Sequence, residues 1–165
     1  MARRACPGDA TAGRRGHRRF GLAVHRLGRA PAGLCFLDGF SSTDRLCIGA
    51  TTRAETWLAV YNAKGPAGAQ KIDELIEAFD VELVDFGATS LPRFRQGCAA
   101  HHRKLRDKAR LNIGDLFTYS LAKQLDLPLF FQGTDFLHTD LANAMAILGY
   151  GMSALGVPQP ITPPR

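Results

Sequence analysis

The sequence predicts an α/β fold built on a central, mainly parallel sheet, and two observations carry that prediction. Short runs that suit strands alternate along the chain with segments of helical periodicity, the pattern of βαβ units. One run, residues 127–131 (LPLFF), is apolar at every position and so suits a strand buried on both faces, as in a parallel sheet. One ordinary domain fits within 165 residues, of which 45% are hydrophobic.

Taken in order, residues 1–33 read as a basic arm of Arg, Ala, Gly and Pro, without the apolar periodicity needed to offset the entropy of ordering. Disorder is expected over most of it. Residues 34–37 are a short apolar run ending in Asp38 and Gly39. Residues 45–49 read as a strand, and residues 51–63 as a helix that ends near Lys64, Gly65 and Pro66. Ile72, Leu75, Ile76 and Phe79 then mark an amphipathic helix. Residues 81–86 alternate like a strand, and a helix from about Ser90 to Lys104 leads into a basic loop at 103–110. Asn112, Gly114 and Asp115 supply cap chemistry for a helix carrying Leu116, Phe117, Leu121 and Leu125, which Pro128 terminates. The strand 127–131 follows, then Gln132, Gly133, Thr134 and Asp135. Residues 146–165 read as a Gly/Pro-rich tail.

Charge is unevenly placed. Residues 1–40 hold eight Arg against Asp9 and Asp38, a net of +6, which is the whole excess of the chain. The remaining residues hold 13 basic and 13 acidic side chains and are neutral (21 − 8 and 15 − 2). The basic pI near 9.5 is therefore no argument for nucleic-acid binding by the folded body. Arg18, Arg19 and Phe20 hint at a twin-arginine signal, but His25, Arg26 and Arg29 interrupt any apolar core, so secretion is not expected. No run approaches membrane-spanning length. Four cysteines without a CxxC pair or metal spacing indicate free thiols and a cytoplasmic chain.

Two acids stand at structural junctions. Asp115 lies in a first helical turn, where the helix dipole favours its ionised form. Asp135 lies just beyond the carboxyl end of a predicted strand, the edge at which open α/β sheets bind ligands. The segments AlaThrThrArgAlaGluThr around Glu55, LeuAsnIleGlyAspLeuPhe around Asp115 and PheGlnGlyThrAspPhe around Asp135 resemble PIN-domain ribonucleases, specifically toxins of the VapC type from toxin–antitoxin pairs. The resemblance covers roughly the last two-thirds of the chain.

That resemblance implies a PIN-like three-layer fold over residues 34–145 and a metal-dependent endoribonuclease. It implies Glu55, Asp115 and Asp135 as catalytic carboxylates that converge at one sheet edge to hold Mg²⁺ or Mn²⁺. The implied partners are an RNA substrate and a cognate antitoxin, with a homodimer left open and no membrane. Hard divalent cations prefer carboxylate oxygens, and the cation relieves repulsion among clustered acids.

The family's pattern opens with a short apolar strand ending in Asp, itself a principal metal ligand, and this chain has no such segment at the expected distance before Glu55. The first strand is expected to be missing or replaced, the N-terminal residues reading as a shifted frame or displaced start. The alternative function is then a catalytically impaired PIN-fold remnant or binding module. Residues 34–38 offer one substitute strand, with Asp38 as a substitute ligand, although the link to the strand at 45–49 is short for a parallel crossover. Plainer roles stay open as well: Asp115 as a helix cap, Asp135 as a loop acid, Glu55 as a solvated helix residue. Asp140 is expected to cap the last helix, His101 and His102 to sit on an exposed helix end, and Trp57, Phe117 and Tyr119 to lie in the core. Residues 103–110 read as a solvated loop, with contact to RNA phosphates as the alternative.

Overall fold

The computed structural model describes residues 21–22, 30–102 and 109–161. Four short strands form its centre: β1 (Gly21–Leu22), β2 (Cys47–Gly49), β3 (Glu82–Val84) and β4 (Leu129–Phe130). β2 pairs in parallel with β3, and β1 with β4, Gly21 opposite Leu129 and Leu22 opposite Phe130. Among the described residues these are two separate two-stranded ladders, and β1 lies beside β2, which gives the spatial order β3-β2-β1-β4.

Side-chain alternation on β4 divides the core in two. Phe130 points into a cluster with Phe36 and Phe40 of α1 (Ala30–Ser41), Ile48 of β2 and Ile76 of α2 (Ala50–Ala78). Leu129 and Phe131 point the other way, towards Leu116, Tyr119 and Ala122 of α4 (Ile113–Leu125), with Phe94 of α3 (Leu91–His101) packed alongside. Helices thus cover both faces of the sheet, as expected for strands buried on both sides.

The break in α2 falls where the sequence places it. Gly65 has φ 70° and ψ −172°, a conformation that favours glycine, and Pro66 follows without an N–H to donate. Twenty residues of unbroken helix would span about 30 Å, yet Arg53 Nη2 lies 2.7 Å from Asp73 Oδ1. The two halves therefore fold back on each other.

Two segments depart from expectation, and one open alternative is decided. Residues 34–38, offered by the sequence as one substitute strand with too short a link behind it, are part of α1. Pro31 suits the start of a helix, and Phe36 and Phe40, four residues apart, both meet the Phe130 ring, with centroids at 6.3 and 5.2 Å. The strand position beside β4 is instead taken by Gly21–Leu22, inside the predicted basic arm. The rest of that arm up to residue 29, and residues 103–108 of the basic loop, lie outside the described residues. The Gly/Pro-rich segment 146–165 contains an antiparallel hairpin of β5 (Tyr150–Met152) and β6 (Pro158–Pro160). Its turn docks on the loop after β4, where Gly133 N–H donates to Gly156 carbonyl at 2.9 Å. No helix among the described residues is long and apolar enough to cross a membrane.

Candidate active site

The first turn of α4 is built by reciprocal capping. The Asn112 side-chain oxygen accepts from the N–H groups of Gly114 (2.7 Å) and Asp115 (3.1 Å), and the Asn112 N–H donates to Asp115 Oδ2 at 2.8 Å. These bonds satisfy N–H groups that have no partner within the helix, and they fix the orientation of Asp115, which is 1% exposed. The capping role and the placement of a carboxylate at the helix start are thus the same geometry.

Glu55, exposed on the first half of α2, brings its carboxylate against this turn. A Cβ built on Gly114 would stand 2.7 Å from Glu55 Oε1 and 2.9 Å from its Cδ. Only glycine leaves the room that this approach uses. One turn before Glu55 on α2 and one turn after Asp115 on α4, the buried hydroxyls of Thr52 and Thr118 share a hydrogen bond of 2.9 Å that pins the two helices together. The Glu55 carboxylate therefore stands against the first turn of α4, the turn that carries Asp115, where the helix dipole favours negative charge.

Asp135 is half-buried on the loop that leaves β4. Among the described residues, no group of three or more His, Cys, Asp or Glu side chains is placed to hold a metal ion. The structure brings Glu55 and the Asp115 turn together and sets Asp135 on the neighbouring connection.

A PIN-domain family model matches residues 25–141, more than half of the chain. The chain belongs to the PIN-domain family. Among its relatives, Ribonuclease VapC30 of Mycobacterium tuberculosis is 38% identical over 88 residues, which are 53% of this chain and 66% of that protein. The match thus spans just under two thirds of that relative's length. Among solved structures, the fold resembles Mycobacterium tuberculosis VapC20, described as a sarcin–ricin loop cleaving toxin, at TM-score 0.58 and 13% identity, covering 75% of this chain and 96% of that one. It also resembles VapBC2 of Rickettsia felis, solved bound to a DNA fragment from its promoter, at TM-score 0.52 and 14% identity, covering 76% and 96%.

Other acids of this PIN domain have different partners. Asp38, on α1, accepts a hydrogen bond from the Tyr150 hydroxyl of the hairpin, and that bond pushes the tyrosine pKa up to about 12. Asp140 does not cap the last helix, α5 (Ala144–Ile147). Asn143 does, accepting from Met145 N–H at 2.9 Å and Ala146 N–H at 3.3 Å. Asp140 instead meets Tyr119 and Lys123 of α4. His101 and His102 are half-buried rather than exposed, and His101 lies edge-on to Tyr119. Tyr119 is fully buried and Phe117 half-buried, but Trp57 is exposed, stacked on Tyr61 and donating to Asp73.

The Thr52–Thr118 bridge and the partners of Asp140 were not among the functional residues expected from the sequence. A signal for the second was present: Asp115, Tyr119 and Lys123 recur every four residues, one polar line on a helix face.

Carboxylate oxygens are the donors that Mg²⁺ and Mn²⁺ favour, and Mg²⁺ commonly takes only one or two protein carboxylates while keeping water ligands. The Glu55–Asp115 pair fits that chemistry.

Proposed function

We propose that the chain is a metal-dependent endoribonuclease toxin of a toxin–antitoxin pair, acting in the cytoplasm on RNA phosphodiesters. The observation that carries this reading is the approach of the Glu55 carboxylate to the Asp115 turn in a chain of the PIN-domain family. Glu55 and Asp115 would hold Mg²⁺ or Mn²⁺ as its protein carboxylates, with Asp135, on the loop after β4, as the third acid that the family resemblance implies; the cation would supply Lewis acidity and charge stabilisation at the phosphoryl group. The Asn112 cap holds Asp115 in one orientation, and the Thr52–Thr118 bridge keeps Glu55 in register with it. The likeness to VapC relatives and to the VapBC2 assembly supports a cognate antitoxin as the protein partner, with a homodimer of this chain left open.

A second reading, a PIN domain that keeps its fold but cleaves RNA poorly, is favoured by one observation. β1 occupies the strand position beside β4, and the sequence from residue 10 to residue 37 contains no Asp or Glu. That strand brings no carboxylate to the site.

Calorimetric titration with Mn²⁺ tests the metal role. Asp115→Ala is expected to weaken binding by at least about tenfold, an effect that loss of even a supporting partner produces at metal sites. Equal affinity in the variant and the parent would remove Asp115 from the site.

A further inference from the structure

We infer that Asp140 is a positioning residue: its carboxylate ties the loop that carries Asp135 to the helix that carries Asp115. The inference rests on the reading of those two acids as metal-holding groups. Asp115, Tyr119 and Lys123 share one face of α4. Tyr119 donates its hydroxyl to Asp140 Oδ1 at 2.8 Å, and Lys123 donates Nζ to Oδ2 at 2.9 Å. His101, at the end of α3, places Nε2 3.5 Å from Oδ1. Each oxygen of the carboxylate is thus engaged by α4, and α3 closes the arrangement from one side.

Electrostatics agree with the geometry. Partial burial pushes the Asp140 pKa up, but hydrogen bonds from Lys123 and Tyr119 outweigh it and hold the carboxyl below its ordinary value. Burial, together with the bond to Asp140, pushes the Tyr119 phenol well above its ordinary value. The pair is therefore a carboxylate accepting from a protonated phenol. An exposed lysine pair alone contributes little, but the hydroxyl of a buried tyrosine needs its acceptor.

Between Asp135 and Asp140 the chain is compact. Leu137 N–H donates to the Thr134 carbonyl and Thr139 N–H to the Phe136 carbonyl, both at 3.2 Å, and Phe136 is buried in the cluster that holds Tyr119. A loop this short and internally bonded can shift little while Asp140 stays clasped. Placement of Asp135 is set by Asp140 in the way that outer partners orient the ligands of a metal site.

The test uses the full-length protein with Asp140→Ala and Asp140→Asn, each alone and combined with Asp135→Ala. Amide exchange over residues 132–140 and Mn²⁺ affinity are measured together. Asp140→Ala should speed exchange across the loop and weaken Mn²⁺ binding by about tenfold. Asp140→Asn, which keeps an acceptor for Tyr119, should fall between it and the parent. With Asp135 already removed, changing Asp140 should cost no further Mn²⁺ affinity, a coupling that a purely structural role would not produce. Unchanged exchange in the loop, or an equal loss of affinity in the Asp135→Ala background, overturns the inference. If the parent binds no Mn²⁺, the metal reading fails by itself, and the exchange data alone decide whether the clasp holds the loop.

Discussion

At position 114 two effects of a single methyl group oppose each other. Alanine favours a helix over glycine by about 1 kcal/mol, so Gly114→Ala should not destabilise α4. Its Cβ would nevertheless fall 2.7 Å from Glu55 Oε1, and the flexible carboxylate, rather than the backbone, would give way. The variant is expected to keep or raise its melting temperature while its Mn²⁺ affinity and RNA cleavage fall. A variant with undiminished metal affinity would show that the Glu55 approach is incidental. Local chemistry of this kind was legible in the sequence. Asn112, Gly114 and Asp115 lie within four residues, and capping depends only on neighbours. The role of Asp140 was legible only in part: the polar line of Asp115, Tyr119 and Lys123 on α4 can be read from spacing, but that it meets Asp140, 21 and 17 residues from Tyr119 and Lys123, cannot.

Elements with strong periodicity were equally readable, and those without it were not. The division of α2 at Gly65, the strands β2, β3 and β4, and the helix α4 all follow from pattern and punctuation. β1 could not be seen, because a strand of two residues in Arg- and Gly-rich surroundings carries no alternation; it is identified by its backbone pairing with Leu129 and Phe130. The run at 34–38 stayed open because a short apolar stretch fits strand and helix alike until its partners are known. The pairing of β1 predicts a difference between two truncations. Removing residues 1–20 leaves β1 in place, whereas removing residues 1–29 strips β4 of its parallel partner. Losing one or two such backbone bonds costs about 1–2 kcal/mol, so the longer truncation should melt about 3–8 °C below the shorter one. Equal melting temperatures would mean that Gly21–Leu22 contributes nothing to the sheet.

Across the whole molecule, charge and site are separated. The net excess of +6 sits in residues 1–40, whereas Glu55, Asp115 and Asp135 belong to a neutral body. On the proposed function, attraction of RNA to the arm would be sequence-independent and would weaken with salt, whereas chemistry at the phosphodiester would depend on the carboxylates and their cation. On the proposed function those carboxylates act together through a divalent cation. The most direct test is cleavage of a mixed RNA pool over a range of Mg²⁺ concentrations by the full chain, by Asp115→Ala, and by Ala23→Asp, which places a carboxylate just after β1. Cleavage is expected to require Mg²⁺, to be lost in Asp115→Ala, and to need less Mg²⁺ in Ala23→Asp. Cleavage in excess chelator, or at the parent rate in Asp115→Ala, would contradict it.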